Sequence, residues 1–464
     1  MKFRAAFVAL SSLCAALALL TAFPLSALGI YQDSYHARYG GLAGVNLAIG
    51  GTPLDLASNP ANLTLLKEIQ LDVGAAFAHV TGEYRDEFRD PDPSRAYAND
   101  ITTRTFAPLP YIGFAAPITR NLVYGAALYV PGGARVNLRG VQRLSTDGSN
   151  VNQWSGLNIP FTGESARIQE NTEGTLFAVK LTNGLAWKIG SVSLGVGLEA
   201  VYGRQRTSLK YFDASGRLEI PGRGFDYKSD PAYALGGIAG ITWAVPDSLR
   251  VAYSYQARNK LNLDGRMNID VGNAEIFRGT GVSYTFRLPE RHSLGISYRA
   301  GDFVYGLDAA YIKWKWTGTL KQVLEDAWFP TPAGRTNLVV GNLNLQDQVS
   351  ARMGVEYDAG GTALRAGFGV AQTAATPEGL IPLAGAVLLE RIIGLGAGFR
   401  FGRYQLDLAY NHLFRNRLGG ANTSDWDLQH AIFSAAPADI RVLDFDHQSA
   451  VHTHALVVNL SMRF

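Results

Sequence analysis

The strongest constraint in this sequence is the rhythm of its connections. Segments of about ten residues with alternating apolar and polar character recur along the chain, separated by connections that are short and long by turns. Candidate strands fall at 69–84, 102–117, 121–132, 173–188, 192–206, 232–245 and 248–262. A second set falls at 291–300, 303–316, 347–358, 362–372, 391–402, 404–412 and 454–464. Short turns occupy Ile118–Arg120, Ile189–Ser191, Pro246-Asp247, Gly301-Asp302, Ala359–Gly361 and Gly402-Arg403. Long connections occupy 85–101, 133–172, 207–231, 263–290, 317–346, 373–390 and 413–453. A soluble sandwich has no reason to keep that alternation, whereas an outer-membrane barrel has short periplasmic turns and long outer loops. The expected fold is all-β: a 14-stranded antiparallel transmembrane β-barrel whose first strand runs outward and whose last ends on the periplasmic side.

Side-chain parity gives each strand a lipid face and a lumen face. In the last strand Leu456, Val458, Leu460, Met462 and Phe464 share one parity, and Asn459, Ser461 and Arg463 the other. A turn centred between Gly360 and Gly361 sets Tyr357 opposite Leu364, Val355 opposite Ala366 and Met353 opposite Phe368, facing lipid. The same register sets Glu356 opposite Arg365, facing the lumen. For strands four and five the expected register places Trp187 opposite Val192 outside and Lys180 opposite Glu199 inside. Opposite charges across a strand pair are favourable, which supports the parity. Strand nine is ambiguous: Asp308 inward also sends Trp314 and Trp316 inward and Lys313 and Lys315 outward, unless a bulge intervenes.

Composition agrees with this class. Only 17% of the 464 residues are charged, glycines number 51, and there are 21 Tyr and 22 Phe. A net charge of +3 is too small to imply nucleic acid or a polybasic membrane patch. Cys14 is the only cysteine, which excludes a disulfide framework or a Cys-based metal site. Met1-Lys-Phe-Arg4, the apolar run from Ala5 to Phe23, Pro24 and the small residues to Gly29 have the layout of a secretory signal peptide. Cleavage is expected after Ala27 or Gly29; the alternative is an uncleaved anchor helix. Beyond it no stretch of ~18 apolar residues can cross a membrane as a helix, so strands must do so.

The expected domains are a signal peptide over 1–29, an N-terminal segment over 30–68 and the barrel over 69–464. The middle one is not barrel-like. Tyr39-Gly-Gly-Leu-Ala-Gly-Val-Asn46 is small and flexible, and Asn59-Pro60 fixes a turn from which Pro60 opens a short helical turn. It is either a periplasmic tail or a plug in the lumen; a barrel of this size without filling leaves an aqueous hole. The run Ser58-Asn59-Pro60-Ala61-Asn62-Leu63 ahead of strand one resembles the N-terminal hatch of the FadL family, outer-membrane transporters for long-chain fatty acids with relatives that admit aromatic hydrocarbons. Leu288-Pro-Glu-Arg-His-Ser-Leu-Gly-Ile-Ser-Tyr298 is similar to that family's Pro-containing lead into a mid-barrel strand.

The resemblance implies a hatch carrying Asn59, Pro60 and Ala61, hydrophobic ligand capture at outer loops, lateral release into the membrane, and no enzyme activity. The expected partners are a long-chain fatty acid or another hydrophobic small molecule and outer-membrane lipid, with no nucleic acid and no cofactor. The expected location is the bacterial outer membrane and the expected state a monomer. A general porin or adhesin is the alternative without a hatch. For an apolar capture groove, loops 207–231 and 263–290 offer Leu209, Tyr211, Phe212, Leu218, Ile220 and Phe225, then Met267, Ile269, Val271, Ile276 and Phe277.

A fatty acid's carboxylate needs a basic partner in the lumen. Parity places Lys180, Arg250, Arg352, Arg365 and Arg400 inward. Arg250 and Arg400 sit low, and Lys180 and Arg365 have carboxylates opposite. Arg352 lies roughly 20 Å along the strand above the turn and meets only Gly369 in strand eleven, so it is the first ligand-binding candidate and Lys180 the second. Gly195-Val-Gly-Leu-Glu-Ala200 imitates a dinucleotide fingerprint but sits inside a strand with no helix after it. His447, His452 and His454 with Asp444 and Asp446 are either a loop metal site or solvated side chains; no metal is expected. There is no Gly-x-Ser-x-Gly elbow, although a Ser and His on one barrel face would escape sequence reading.

Overall fold

The computed structural model describes residues 34–88, 93, 96–144, 167–245, 248–271, 274–317, 319–326, 329–331, 334–342, 345–377, 390–421 and 445–464. The expected signal peptide and Asp444 lie outside these residues. Fourteen antiparallel staves close into a barrel. The first five are β1 (Gln70–Phe88), β2 (Tyr97–Pro117), β3 (Leu122–Leu144), β4 (Arg167–Ile189) and β5 (Val192–Asp213). The next five are interrupted: β6 (Glu219–Ser229, Ala232–Val245), β7 (Leu249–Gln256, Asn259–Asn262, Gly265–Val271), β8 (Ala274–Leu288, Arg291–Ala300), β9 (Phe303–Ile312, Thr319–Leu324) and β10 (Leu338–Asn342, Gln348–Asp358). Then come β11 (Thr362–Ala371), β12 (Arg391–Phe401), β13 (Tyr404–Ala421) and β14 (Phe445–Arg463). β14 pairs with β1 from Gln70↔Arg463 to Phe88↔Phe445, which leaves no open edge where the sheet closes.

Parity follows the alternation in sequence. Leu456 and Leu460 are exposed on the lipid face while Asn459 and Ser461 are buried inside. The β10–β11 register is as expected, with Tyr357↔Leu364, Met353↔Phe368 and Glu356↔Arg365. The β4–β5 register is not: Ile189 pairs Val192, Trp187 pairs Leu194, and Lys180 pairs Val201. The turn is centred between Gly190 and Ser191, with Gly190 at φ +59°, one residue later than the expected centre between Ile189 and Gly190, and this slides the pairing by two positions. Such a slide preserves which face each residue occupies. Lys180 still reaches Glu199, now along the diagonal, with Nζ 3.0 Å from Oε2.

Two further expectations are corrected. Connections 207–231 and 263–290 are largely strand, because β5 continues to Asp213, β6 begins at Glu219, and β7 and β8 run on through Gly265–Val271 and Ala274–Leu288. Backbone pairing thus outlasts the alternation from which the strands were read. The ambiguity of strand nine disappears because its first piece ends at Ile312 and a 3-10 turn follows over Trp314–Trp316. Asp308 and Trp314 are buried, and Trp316 is exposed.

The chain ahead of β1 is ringed by staves. It contains a short helix, α1 (Ala37–Gly41), and two 3-10 turns, Pro53–Ala57 and Pro60–Leu65. Going round the wall, His36 lies against Asp72 of β1 and Leu54 against Gly113 of β2. Thr64 bonds Ser193 of β5, Ser297 of β8 bonds the Ala48 carbonyl, and Asp308 of β9 accepts from the backbone N–H groups of Asn46 and Leu47. Arg38 grips Glu356 of β10, and Asn411 of β13 bonds the Gly40 carbonyl. Glycines clear the space. A Cβ at Gly184 would stand 2.6 Å from Leu56, at Gly295 2.6 Å from Leu47, and at Gly306 2.6 Å from Val45. Glycine in a strand interior marks such close approach, so much of the high glycine count serves to admit this segment.

Candidate functional site

The lumen has two chemically different levels. Towards the outer end, inward residues of seven staves, among them Leu176, Val201, Tyr227, Leu261, Met267, Phe286 and Trp314, bury one another in a single apolar cluster. Of the groove residues expected from sequence, Leu209, Tyr211, Phe225 and Met267 belong to it and Ile220 packs against it. Leu218 is exposed, Phe212 is half-buried, and the side chains of Ile269, Val271, Ile276 and Phe277 lie outside those described. Towards the short-turn end the filling is polar. Arg38 binds Glu356 through Nε (2.8 Å) and Nη2 (2.7 Å). Arg365 bridges Glu356 (2.6 Å) and Asp407 (2.7 Å).

Asn59, Pro60 and Ala61 form the joint of the N-terminal segment. Asn59 caps the second 3-10 turn by accepting from the Ala61 N–H at 3.2 Å, and Pro60 occupies the first position of that turn. The Asn59 amide donates to the Leu47 carbonyl and to Thr242 of β6, both at 2.9 Å. Asn62 donates to the same carbonyl at 2.8 Å and accepts from the Thr242 hydroxyl at 2.9 Å. The two asparagines thus tie one loop carbonyl and one wall hydroxyl together. Gly195, from the run that imitated a nucleotide fingerprint, faces Pro60 and Ala61 and leaves no room for a Cβ. Below this joint, Asp55 accepts from Gly51 N (2.7 Å) and Thr52 N (3.1 Å), and from the Tyr39 hydroxyl. Burial pushes the Asp55 carboxyl up to about 6 against the pull of these donors.

The barrel wall is not uniformly zipped. β2 and β3 pair only from Pro117↔Val123 to Tyr111↔Tyr129. Above that, β2 stays paired with β1 and β3 with β4. They meet again at the top, where Asn99 and the Gln142 backbone exchange bonds of 3.1 and 2.7 Å. Between lies a cavity of about 470 Å³ lined by Ile101–Phe106, Arg135, Asn137 and Arg139. Pro108 and Pro110 in β2 and Pro131 in β3 carry no N–H for a ladder, and β3 is bulged between Tyr129 and Gly132. The N-terminal segment comes to this seam: the Tyr35 and Tyr129 rings are 4.4 Å apart. Leu54, Leu56 and Leu63 share one buried cluster with Leu109, Tyr111 and Val130. Sequence reading missed the seam, yet three prolines inside two adjacent strands were its signal, since proline is confined to edges and bulges.

Both candidate cations meet acids. Lys180 is fully buried against Glu199, whose other oxygen accepts from Gln256 at 2.6 Å. Arg352 meets Gly369 on the β11 side as expected, but on the other side Asp308 of β9 stands directly opposite. An acidic residue thus stands across the register on the side that the β10–β11 hairpin left out. Arg38 and Asp72, absent from the candidates, emerge only through long-range packing. His452 and His454 belong to β14 and not to a loop; His454 stands between His79 of β1 and His412 of β13. Among the described residues no group of three or more His, Cys, Asp or Glu is placed to hold a metal ion.

A closed fourteen-stave barrel with alternating short and long connections defines a bacterial outer-membrane protein. A family model described as outer membrane protein transport protein (OMPP1/FadL/TodX) matches residues 39–464, and the chain belongs to that family, a family of transport channels for hydrophobic compounds. No curated protein matches it by sequence. Among solved structures it is similar to a Pseudomonas aeruginosa FadL homologue, at 17% identity and TM-score 0.65, covering 93% of this chain and 98% of that one. The Pseudomonas putida toluene transporter TodX follows at 16% identity and TM-score 0.64, covering 94% and 99%. The Ralstonia pickettii toluene transporter TbuX has 15% identity and TM-score 0.59, covering 93% and 99%.

Proposed function

We propose that the chain is a monomeric channel for passive uptake of hydrophobic small molecules, with residues 30–68 as its hatch and the β2–β3 seam as its side exit. The observation that supports this reading is the coincidence of the two: the lumen is filled beside the longest unpaired stretch of wall among the described residues. A ligand enters through the apolar outer half, meets the hatch, and turns through the seam into lipid. Transfer of apolar surface from water to lipid is downhill, so no energy source is needed. Unpaired backbone groups are tolerated at membrane depth only beside protein or a wet cavity, and the cavity lined by Thr102–Thr105, Arg135, Asn137 and Arg139 supplies that setting.

The ligand class that fits best is an uncharged hydrocarbon such as a monoaromatic. The support is that both mid-level cations have an acid beside them: Lys180 is ion-paired with Glu199, and Arg352 stands across the strand register from Asp308. A long-chain fatty acid is the second reading: its carboxylate would have to compete with Asp308 for Arg352. Uptake of radiolabelled toluene and oleate by cells with and without the gene separates the two. Gene-dependent entry of toluene alone is the expected result. Gene-dependent oleate entry that Arg352→Gln abolishes, with toluene entry kept, would replace the first reading by the second.

A further inference from the structure

At the short-turn end of the lumen lies a second cavity, of about 170 Å³, whose lining includes Arg38, Arg299, Arg365, Arg400 and Arg463 but only two carboxylates, Glu356 and Asp358. Glu356 is fully engaged by Arg38 and Arg365, and Asp358 is paired with Arg400. Asp407, just outside the lining, takes the remaining arm of Arg365. That leaves Arg299 with no side-chain hydrogen bond or ion pair among the described residues, and Arg463 with a single neutral acceptor, Gln405 Oε1 at 3.2 Å. Arg299 and Arg400 are exposed, so the cavity opens to the periplasmic side. Cations of one sign in a concave, partly desolvated place attract an anion, and guanidinium groups suit the oxygens of a phosphate.

We infer that this mouth is a binding site for a phosphate-type oxyanion, held by Arg299 and Arg463 with Arg38 and Arg400 completing its rim. It stands apart from the hydrophobic route, and its consequence is mechanical. Arg38 belongs to the N-terminal segment and the other three belong to β8, β12 and β14, so a bound oxyanion bridges segment and wall. Ligand that binds only this assembled form stabilises it. The source is either free phosphate or a phospholipid headgroup of the inner leaflet.

The full chain in neutral detergent, titrated calorimetrically with inorganic phosphate against chloride of equal ionic strength, tests the inference. Nanodiscs of phosphatidylglycerol or phosphatidylcholine form the lipid arms, read by thermal unfolding. Binding of phosphate that Arg299→Gln/Arg463→Gln weakens by about tenfold or more, as loss of a charge-assisted bond requires, supports a free-anion site. A stabilisation confined to phosphatidylglycerol and lost in the same variant supports a headgroup site. Arg417→Gln, at the opposite end, keeps either effect and controls for lost charge; each single variant is measured if the double one fails to fold. No binding in any arm, or binding that the Arg299 and Arg463 variants leave intact, overturns the inference.

Discussion

β2–β3 and β4–β5 are both pairs of long neighbouring staves, yet they end differently. β4 and β5 are paired without a break from Ile189↔Val192 to Ile168↔Asp213. β2 and β3 part at Tyr111↔Tyr129, seven pairs from their turn. The continuous pair holds Lys180 and Glu199 as a buried ion pair and has Val196 and Leu198 exposed to lipid. The parted pair carries Pro108, Pro110 and Pro131, and its upper rim is lined by threonine and arginine. A barrel stays closed by default, because unpaired backbone in hydrocarbon costs several kcal/mol per group. An opening therefore needs local chemistry that removes donors and supplies polar lining, and only the second pair has it among these two.

The largest effect is expected from plugging the seam. Cys14 is the only cysteine, so Thr105→Cys offers a single thiol in the barrel wall. A bulky maleimide there should reduce hydrocarbon uptake to the level of cells lacking the protein. The same label at Val196→Cys, on the continuous pair, should leave uptake unchanged. Next is the joint of the N-terminal segment: Gly195→Leu drives a side chain into Ala61. The overpacking, about 1–3 kcal/mol, should displace the segment and give planar bilayers a steady ion conductance that the unmodified chain lacks. Val196→Leu, one residue on and facing lipid, should give none.

Breaking the buried pair should act on stability alone. Lys180→Met leaves Glu199 uncompensated, a loss of about 3–5 kcal/mol visible in denaturant unfolding. Lys180→Met/Glu199→Gln should recover most of it, with hydrocarbon uptake near normal below the unfolding transition. The smallest effect concerns Asp55. Its carboxyl lies near 6 when folded, above the ordinary value near ~3.9. The folded form therefore holds a proton that the unfolded form has released over that interval. The stabilisation from this group is complete below about pH 4 and is lost as pH rises through 6. Protection of the Gly51 and Thr52 amides, taken relative to their intrinsic base-catalysed exchange, should fall over that window, and Asp55→Asn should flatten that fall.

What could be read from sequence was whatever rests on local periodicity. Stave number, lipid-facing parity and the Glu356–Arg365 pairing follow from alternation and one tight turn, and all appear in the barrel. The Lys180–Val201 register did not follow, because turns centred one residue apart slide the pairing by two positions and leave the same parity. The surroundings of Arg352 were read only in part for a related reason: a hairpin register gives one neighbour, and Asp308 comes from the other. Arg38 and His36 were invisible, since nothing local announces that a segment ahead of the barrel will reach Glu356 and Asp72. The seam was legible in principle in Pro108, Pro110 and Pro131.

The central claim is that ligand leaves sideways between β2 and β3. Irradiating the full chain in lipid nanodiscs with a photoactivatable monoaromatic, then mapping the adducts by mass spectrometry, tests it most directly. The account predicts adducts on Ile101–Phe106 and on the stretch from Val130 to Arg139, reduced when Thr105→Cys carries the bulky label. Adducts concentrated instead at Arg299, Asp358 and Arg400 beside the short turns, with the β2–β3 stretch unmarked, would mean passage straight through the periplasmic mouth and would contradict it.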